Sequence, residues 1–284
     1  MSTATAAKTA PNRLSAEDVR LYRERGYHYP LRAMSTEQAA EYRKKLEAHE
    51  AKYGKPQGIM RHKAHLYLAW LNELVRMPTI LDAVGDVLGP DIMCYSTSFF
   101  VKEPHDPAYV SWHQDSHYWG LDSGDVITAW VAFGDSDTEN GAMRVVAGTH
   151  KEDFAHNDTF APNNLLSRGQ EVAVDLGDRG YVEMCLKAGE FSLHHVGIVH
   201  GSEPNNSDRR RIGFAIRYLT PRVKQLVAAK DGATLVRGVD RFNHFEHEPA
   251  PKADMDPDAI AYHKYAMDRL NQVTMRGTGR DPRA

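Results

Sequence analysis

The sequence predicts a mainly β fold, a sandwich or double-sheet jelly roll, with a helical N-terminal third and a closing helix. Three observations carry this. Beyond Pro90, segments of five to ten residues rich in β-formers follow one another, broken by turn residues. Before Pro90 the chain carries helix-start signals and Gly/Pro stops instead. The strand-like segments do not alternate with helices, which argues against a βαβ sheet.

In chain order, MSTATAAKTAPNR is small and polar, and residues 1–13 read as a loose tail. Ser15-Ala-Glu-Asp18 has the form of a capping box opening a helix to about Gly26. Ser35-Thr-Glu-Gln38 repeats the signal for a helix to about Tyr53, ended by Gly54 and Pro56. AHLYLAWLNELVR predicts a helix over Ala64–Arg76, and another fits Ile80–Leu88 before Gly89-Pro90. The β segments are DIMCYSTSFFVKE, AYVSWHQD, DVITAWVAF, AMRVV, VEMCL, EFSLHHVGIVHGS and RRIGFAIRYL. Val126, Thr128 and Trp130 alternate against Ile127, Ala129 and Val131. Residues 152–178 show little regular pattern, as binding loops and lids often do. Pro257 to Thr274 reads as a final helix. The expected organisation is one domain over 14–284: helical 14–89, β core 90–221, and loops with a helix over 222–284.

An apolar fraction of 42% and a charged fraction of 26% are those of an ordinary globule. The net charge of −3 gives no electrostatic reason to expect nucleic acid or an anionic membrane as partner. Two cysteines, Cys94 and Cys185, lie in apolar, strand-like contexts, so buried free thiols and a cytoplasmic location are expected. A small-molecule substrate is the expected partner. Homo-oligomerisation is left open.

His113-Gln114-Asp115 could be a pair of metal ligands or two polar residues of a strand. With 15 His and 38 acidic residues among 284, H-x-D/E arises about twice by chance; it recurs at His150/Glu152, His156/Asp158 and His244/Glu246. Context is what lifts the first match. A strand would put His113 and Asp115 on one face, and a third ligand is offered by His200, which ends an apolar run before a polar turn. Two His and one carboxylate without Cys match the facial triad of non-haem Fe(II) oxygenases. Such a triad leaves two positions for a chelating 2-oxo acid and one for O2. A dicarboxylate co-substrate needs a second anchor, best an Arg. Arg209-Arg210-Arg211 opens the strand after His200, with Arg209 and Arg211 on one face.

HQDSHYWGLDSGDVITAW, then ENGAMRVVAGTHK, then HGSEPNNSDRRRIGFAIRY, resemble the phytanoyl-CoA dioxygenase family, from about Pro90 to Pro221. The resemblance implies an Fe(II)- and 2-oxoglutarate-dependent oxygenase on a double-stranded β-helix (jelly roll, cupin-like). It implies iron ligands His113, Asp115 and His200, the histidines standing 87 residues apart, and places the co-substrate arginine at Arg211. Gln114, Trp130 and Ser202 fall at the family's 2-oxoglutarate site. Related halogenases replace the carboxylate with Ala or Gly, so Asp115 points to hydroxylation. For the substrate, GIMRHKAHLYLAW and the 152–178 loop are candidate pocket walls. Arg61, Lys63, Lys102, His117, Tyr118 and Arg217 suggest a small polar, anionic or zwitterionic metabolite, such as an amino acid or 2-aminoethylphosphonate. A halogenase-like enzyme, an acyl-CoA hydroxylase and a non-catalytic cupin-like metal-binding domain stay open as alternatives.

Overall fold

The structure is a computed structural model that describes residues 13–173, 179–228 and 231–279. Apart from Arg13, the expected tail lies outside the described residues, as do 174–178 of the irregular loop.

The N-terminal helices begin where the caps predict. In α1 (Ala16–Arg25) and α2 (Thr36–Tyr53) the hydroxyls of Ser15 and Ser35 accept from the N3 amides, and the N3 side chains accept from the cap amides. Between α1 and α2 runs a strand the sequence did not announce, β1 (Tyr27–Arg32). Pro30 sits inside it, and β1 tolerates a proline because it is the edge of its sheet. The helix expected over Ala64–Arg76 is two pieces, a 3-10 turn at Ala64–Leu66 and α3 (Ala69–Leu74). Leu68 between them is extended (φ −117, ψ 108), and Leu66, Tyr67, Leu68, Trp70 and Leu71 are all buried. A segment buried on every side bends to fit its neighbours rather than presenting one helical stripe. α4 (Pro78–Leu88) starts with Pro78 in its first turn.

The β region contains β2 (Ile92–Lys102), β3 (Val110–His113), a short α5 (Ser116–Trp119), β4 (Val126–Ala132), β5 (Arg144–Val145), β6 (His156–Asp158), β7 (Gln170–Val172), β8 (Val182–Glu183), β9 (Glu190–His195), β10 (His200–Ser202), β11 (Arg211–Leu219), β12 (Gly232–Arg237) and β13 (Glu246–His247), followed by α6 (Pro257–Thr274). A seven-stranded sheet runs β1-β9-β4-β11-β2-β12-β13 and a four-stranded sheet runs β3-β10-β5-β8. The β core therefore extends past residue 221, since β12 pairs with β2, and Glu246 lies in a strand rather than beyond the last one. The irregular loop holds its own ribbon, β6 with β7.

Period-two alternation divides the large sheet into two faces. Ile212, Phe214, Ile216 and Tyr218 of β11, with Ile127, Ala129 and Val131 of β4, join the core built with Leu46, Leu71, Leu74, Ile80 and Val84 of the helices. The opposite face carries Arg211, Gly213, Ala215 and Arg217, with Thr128 and Trp130 of β4 and Ser192 and His194 of β9. That face looks toward the small sheet, and the gap between the sheets holds the site.

Both cysteines are free, as expected; Cys94 is buried, but Cys185 is exposed because it lies just after the short β8 rather than within a strand. Among the described residues no helix is long and apolar enough to cross a membrane.

Candidate active site

β3 and β10 pair antiparallel with His113 opposite His200, which brings the two imidazoles to a centroid separation of 4.1 Å. Asp115 follows. It is not on the strand face the sequence suggested: β3 ends at His113, and Asp115 takes helical dihedrals (φ −61, ψ −36) as it caps α5. The turn still returns its carboxylate, so ligand atoms of His113, Asp115 and His200 lie within 4.8 Å of one another, and all three residues are buried.

The hydrogen bonds fix which nitrogens face inward. His113 Nδ1 donates to the Ser111 carbonyl (2.9 Å) and His200 Nδ1 to the Ile198 carbonyl (3.0 Å). Each Nε2 is thereby turned inward, where a neutral ring offers the bare nitrogen a metal needs. His113 Nε2 stands 3.4 Å from Asp115 Oδ1. A bare ring nitrogen and a carboxylate facing each other at that distance in a buried site suit a shared cation, and Asp115 Oδ2 is also buried without a hydrogen-bond partner. This donor set fits a divalent metal. Burial alone would raise the Asp115 pKa, but the His113 contact and the Arg217 guanidinium hold it well below the usual carboxylate range. Burial and the neighbouring His113 push His200 down to about 3. His194, 5.0 Å away by ring centroids and also buried, is held well below its ordinary value chiefly by burial.

On one side of the triad lies a cavity of about 390 Å³ lined by Thr128, Trp130, Met143, His194, Ser202 and Arg211 among others. Arg211 is 2% exposed, has no carboxylate partner among the described residues, and keeps a buried Nε without an acceptor. It donates to the Gly141 carbonyl and lies over the Trp130 ring (5.4 Å to the centroid). Burial pushes its pKa down to about 10. A buried, unneutralised guanidinium of this kind wants a carboxylate, so the residues fit the distal end of 2-oxoglutarate. Ser202 reaches the same cavity and accepts from Lys102 Nζ (2.8 Å).

On the other side, a second pocket of about 700 Å³ is lined by Arg61, His62, Ser98, Asp115, Tyr118 and Arg217, by Leu166, Ser167 and Gln170, and by Met267, Leu270, Asn271 and Thr274 of α6. The irregular loop thus supplies a wall, as expected. Arg217 and Phe100 belong to both cavities.

Several expected site residues stand elsewhere. Gln114 turns away from the triad: its Nε2 donates to the Glu152 and Gly197 carbonyls (2.8 and 2.6 Å) and its Oε1 accepts from Phe154 N, so it ties loops together. Lys63 lines neither cavity; it is fully buried and ion-paired with Glu248 at 2.5 Å. Lys102 lies at the Ser202 end, away from the second pocket. His117 is exposed and stacks on His156 (centroids 4.4 Å). Conversely, His194, Thr128 and the α6 residues were not singled out from sequence. His194 and Thr128 were findable from alternation with Ser192 and Trp130; nothing local marks the α6 positions.

The phytanoyl-CoA dioxygenase (PhyH) family profile matches residues 9–213. Among curated proteins, the chain is 30% identical over 175 residues to a probable alpha-ketoglutarate-dependent hypophosphite dioxygenase of Stutzerimonas stutzeri, covering 60% of each chain. It is 27% identical to an L-proline trans-4-hydroxylase of Streptomyces griseoviridis, covering 73% of this chain and 80% of that one. Among solved structures, the apo non-heme monooxygenase ThoJ superposes with a TM-score of 0.79 and 33% identity, over 91% of this chain and 97% of that one. CytC3 with Fe(II) and alpha-ketoglutarate shares the fold, with a TM-score of 0.63 over 86% of this chain and 97% of that one at 23% identity. The chain belongs to the phytanoyl-CoA dioxygenase family of Fe(II)- and 2-oxoglutarate-dependent oxygenases.

Proposed function

We propose that this protein hydroxylates an unactivated C–H bond of a small, polar, anionic metabolite. The observation that carries the reading is the pairing of two buried, incomplete arrangements: the His113–Asp115–His200 cluster with its unpartnered carboxylate oxygen, and Arg211 without an acid partner across one cavity. Bound Fe(II), with 2-oxoglutarate and O2, supplies the oxidising equivalent that turns C–H into C–OH as 2-oxoglutarate becomes succinate and CO2. The chain's own residues do the rest. His113 and His200 are held by their carbonyl acceptors as neutral ligands, and Asp115 fills the position a halogenase would leave for chloride. Arg211 and Ser202 orient the co-substrate, with Trp130 as the cavity's flat wall. Arg217, between the two cavities, faces both the carboxylate ligand (4.0 Å) and the second pocket, where the substrate binds.

One named relative is a probable hypophosphite dioxygenase and another an L-proline trans-4-hydroxylase; hypophosphite is an anion and L-proline a zwitterion, and each carries an oxyanion group. This supports an oxyanion-bearing substrate without choosing among such molecules. The test is anaerobic addition of Fe(II) and 2-oxoglutarate, followed by a substrate panel scored for succinate. The expected result is a metal-to-ligand charge-transfer absorption on adding both. Its absence from folded protein overturns the reading.

A further inference from the structure

The second pocket contains more unspent positive charge than its walls can use. Arg61 and Arg217 both line it, and the Nε of each is buried without an acceptor. Asn271, reaching in from α6, has a buried Nδ2 equally without a partner. Among the described residues Arg61 makes no ion pair; its Nη2 donates to the Leu165 carbonyl. Arg217 spends Nη1 on Ser98 Oγ (2.6 Å) and lies 4.0 Å from Asp115. The two guanidiniums flank the Phe100 ring, at 5.5 and 5.8 Å from its centroid. Each therefore keeps its position without being neutralised by the other's partners.

The acceptor side of the pocket is short of charge. Asp115 is the only carboxylate on its described lining, and Asp115 is committed to the metal. Asp231, behind the wall, accepts from Tyr95 OH (2.7 Å). Glu248 is occupied by Lys63. His62 is kept neutral by burial and by the two guanidiniums, and its Nδ1 lies 2.8 Å from Ser98 Oγ. An ammonium group placed here would face two buried cations and no free counter-charge among the described lining residues, a desolvation cost that nothing there offsets.

We infer that the substrate is an oxyanion, a carboxylate or phosphonate, whose remainder is uncharged, and that Arg61, Arg217 and Asn271 bind its anionic end. This rests on the proposed function and narrows it: free amino acids and aminoalkylphosphonates, which the sequence alone suggested, would find no uncommitted carboxylate for the amino group among the described lining residues. Arg61 also lines an outer groove with Glu50, Lys55, Glu103 and Arg210. There Glu103 pairs with Lys55 and Arg210, and Glu50 with Arg210. Asp106, the third acid of that groove, accepts from the Glu103 and Ala108 amides, and Arg61 is the groove cation without an ion pair among the described residues.

The full chain, loaded anaerobically with Fe(II) and 2-oxoglutarate, is titrated with matched probes. These are ethylphosphonate and propionate, their amino counterparts 2-aminoethylphosphonate and β-alanine, and neutral propionamide. Binding is read from the shift of the charge-transfer band and from the change in melting temperature. The unaminated anions are expected to bind at least tenfold tighter than their aminated or neutral partners. Arg61→Gln is expected to remove that preference while 2-oxoglutarate still produces its band, which certifies a folded, loaded centre. Equal or tighter binding of the aminated probes, no binding of either anion at millimolar concentration, or an unchanged preference in Arg61→Gln overturns the inference. Failure of the band itself in the parent protein instead overturns the proposed function.

Discussion

Gly213 lies directly beneath the indole of Trp130: a Cβ at residue 213 would fall 1.8 Å from a ring carbon. The glycine is what lets the ring lie flat on β11 and stay over the Arg211 guanidinium. Gly213→Ala is expected to tilt the indole, costing about 1–3 kcal/mol of stability by overpacking. The KM for 2-oxoglutarate should rise with it. An alanine variant with parent stability and parent KM would show that the ring does not shape the co-substrate cavity.

Arg211→Lys tests the anchor itself. A lysine keeps the charge but loses the planar fork and the stacking face. Losing one of two hydrogen bonds to a charged group costs about 1.5–3 kcal/mol, so 2-oxoglutarate affinity should drop by roughly 10-fold or more. Isothermal titration with 2-oxoglutarate on Fe(II)-loaded protein reads this directly. Parent affinity would count against Arg211 as the anchor.

Asp115→Ala removes the third ligand and the carboxylate that Arg217 faces. Fe(II) retention after gel filtration should fall, and hydroxylation with it. Full hydroxylase activity in this variant would contradict the ligand assignment.

Lys63 separates a structural from a substrate role. Lys63→Met leaves Glu248 buried and unpaired, which costs about 3–5 kcal/mol and lowers the melting temperature by roughly 6–20 °C. Lys63→Met with Glu248→Leu should recover most of that loss. Substrate KM in the double variant should stay near the parent value; a large rise would return Lys63 to the substrate pocket.

Lys102 gives a pH signature. Burial, and then the neighbouring Arg211, push its pKa down to about 6. Between about pH 6 and the ordinary lysine range near 10.5, the unfolded chain holds a proton that the folded protein does not. Stability contributed through this group therefore rises with pH across that window and is lost as pH falls toward 6. Chemical denaturation of the parent and of Lys102→Met at several pH values should show a steeper upward slope in the parent. Parallel slopes would mean that Lys102 stays protonated in the folded state.

The triad and Arg211 were legible because each rests on residue type, strand context and order along the chain. The helix starts at Ser15 and Ser35 were legible for a similar reason, since a capping box is local chemistry. What escaped depends on contacts between distant segments. Lys63 looked available for substrate beside Arg61, but its partner Glu248 is 185 residues away. Gln114 sits between two metal ligands, and only the approach of residues 152, 154 and 197 shows that its amide faces outward. β1 was hidden by Pro30, which only its edge position makes acceptable.

The α6 residues that line the second pocket have a wider consequence. The match to the family model ends at residue 213, and it contains the His113–Asp115–His200 cluster and Arg211. Arg217, Met267, Leu270, Asn271 and Thr274 all come after it. If the second pocket binds the substrate as proposed, the metal cluster and one wall of the recognition pocket come from separate stretches of one chain. Changes in the later stretch are then expected to alter which small molecule is accepted while the cluster stays in place.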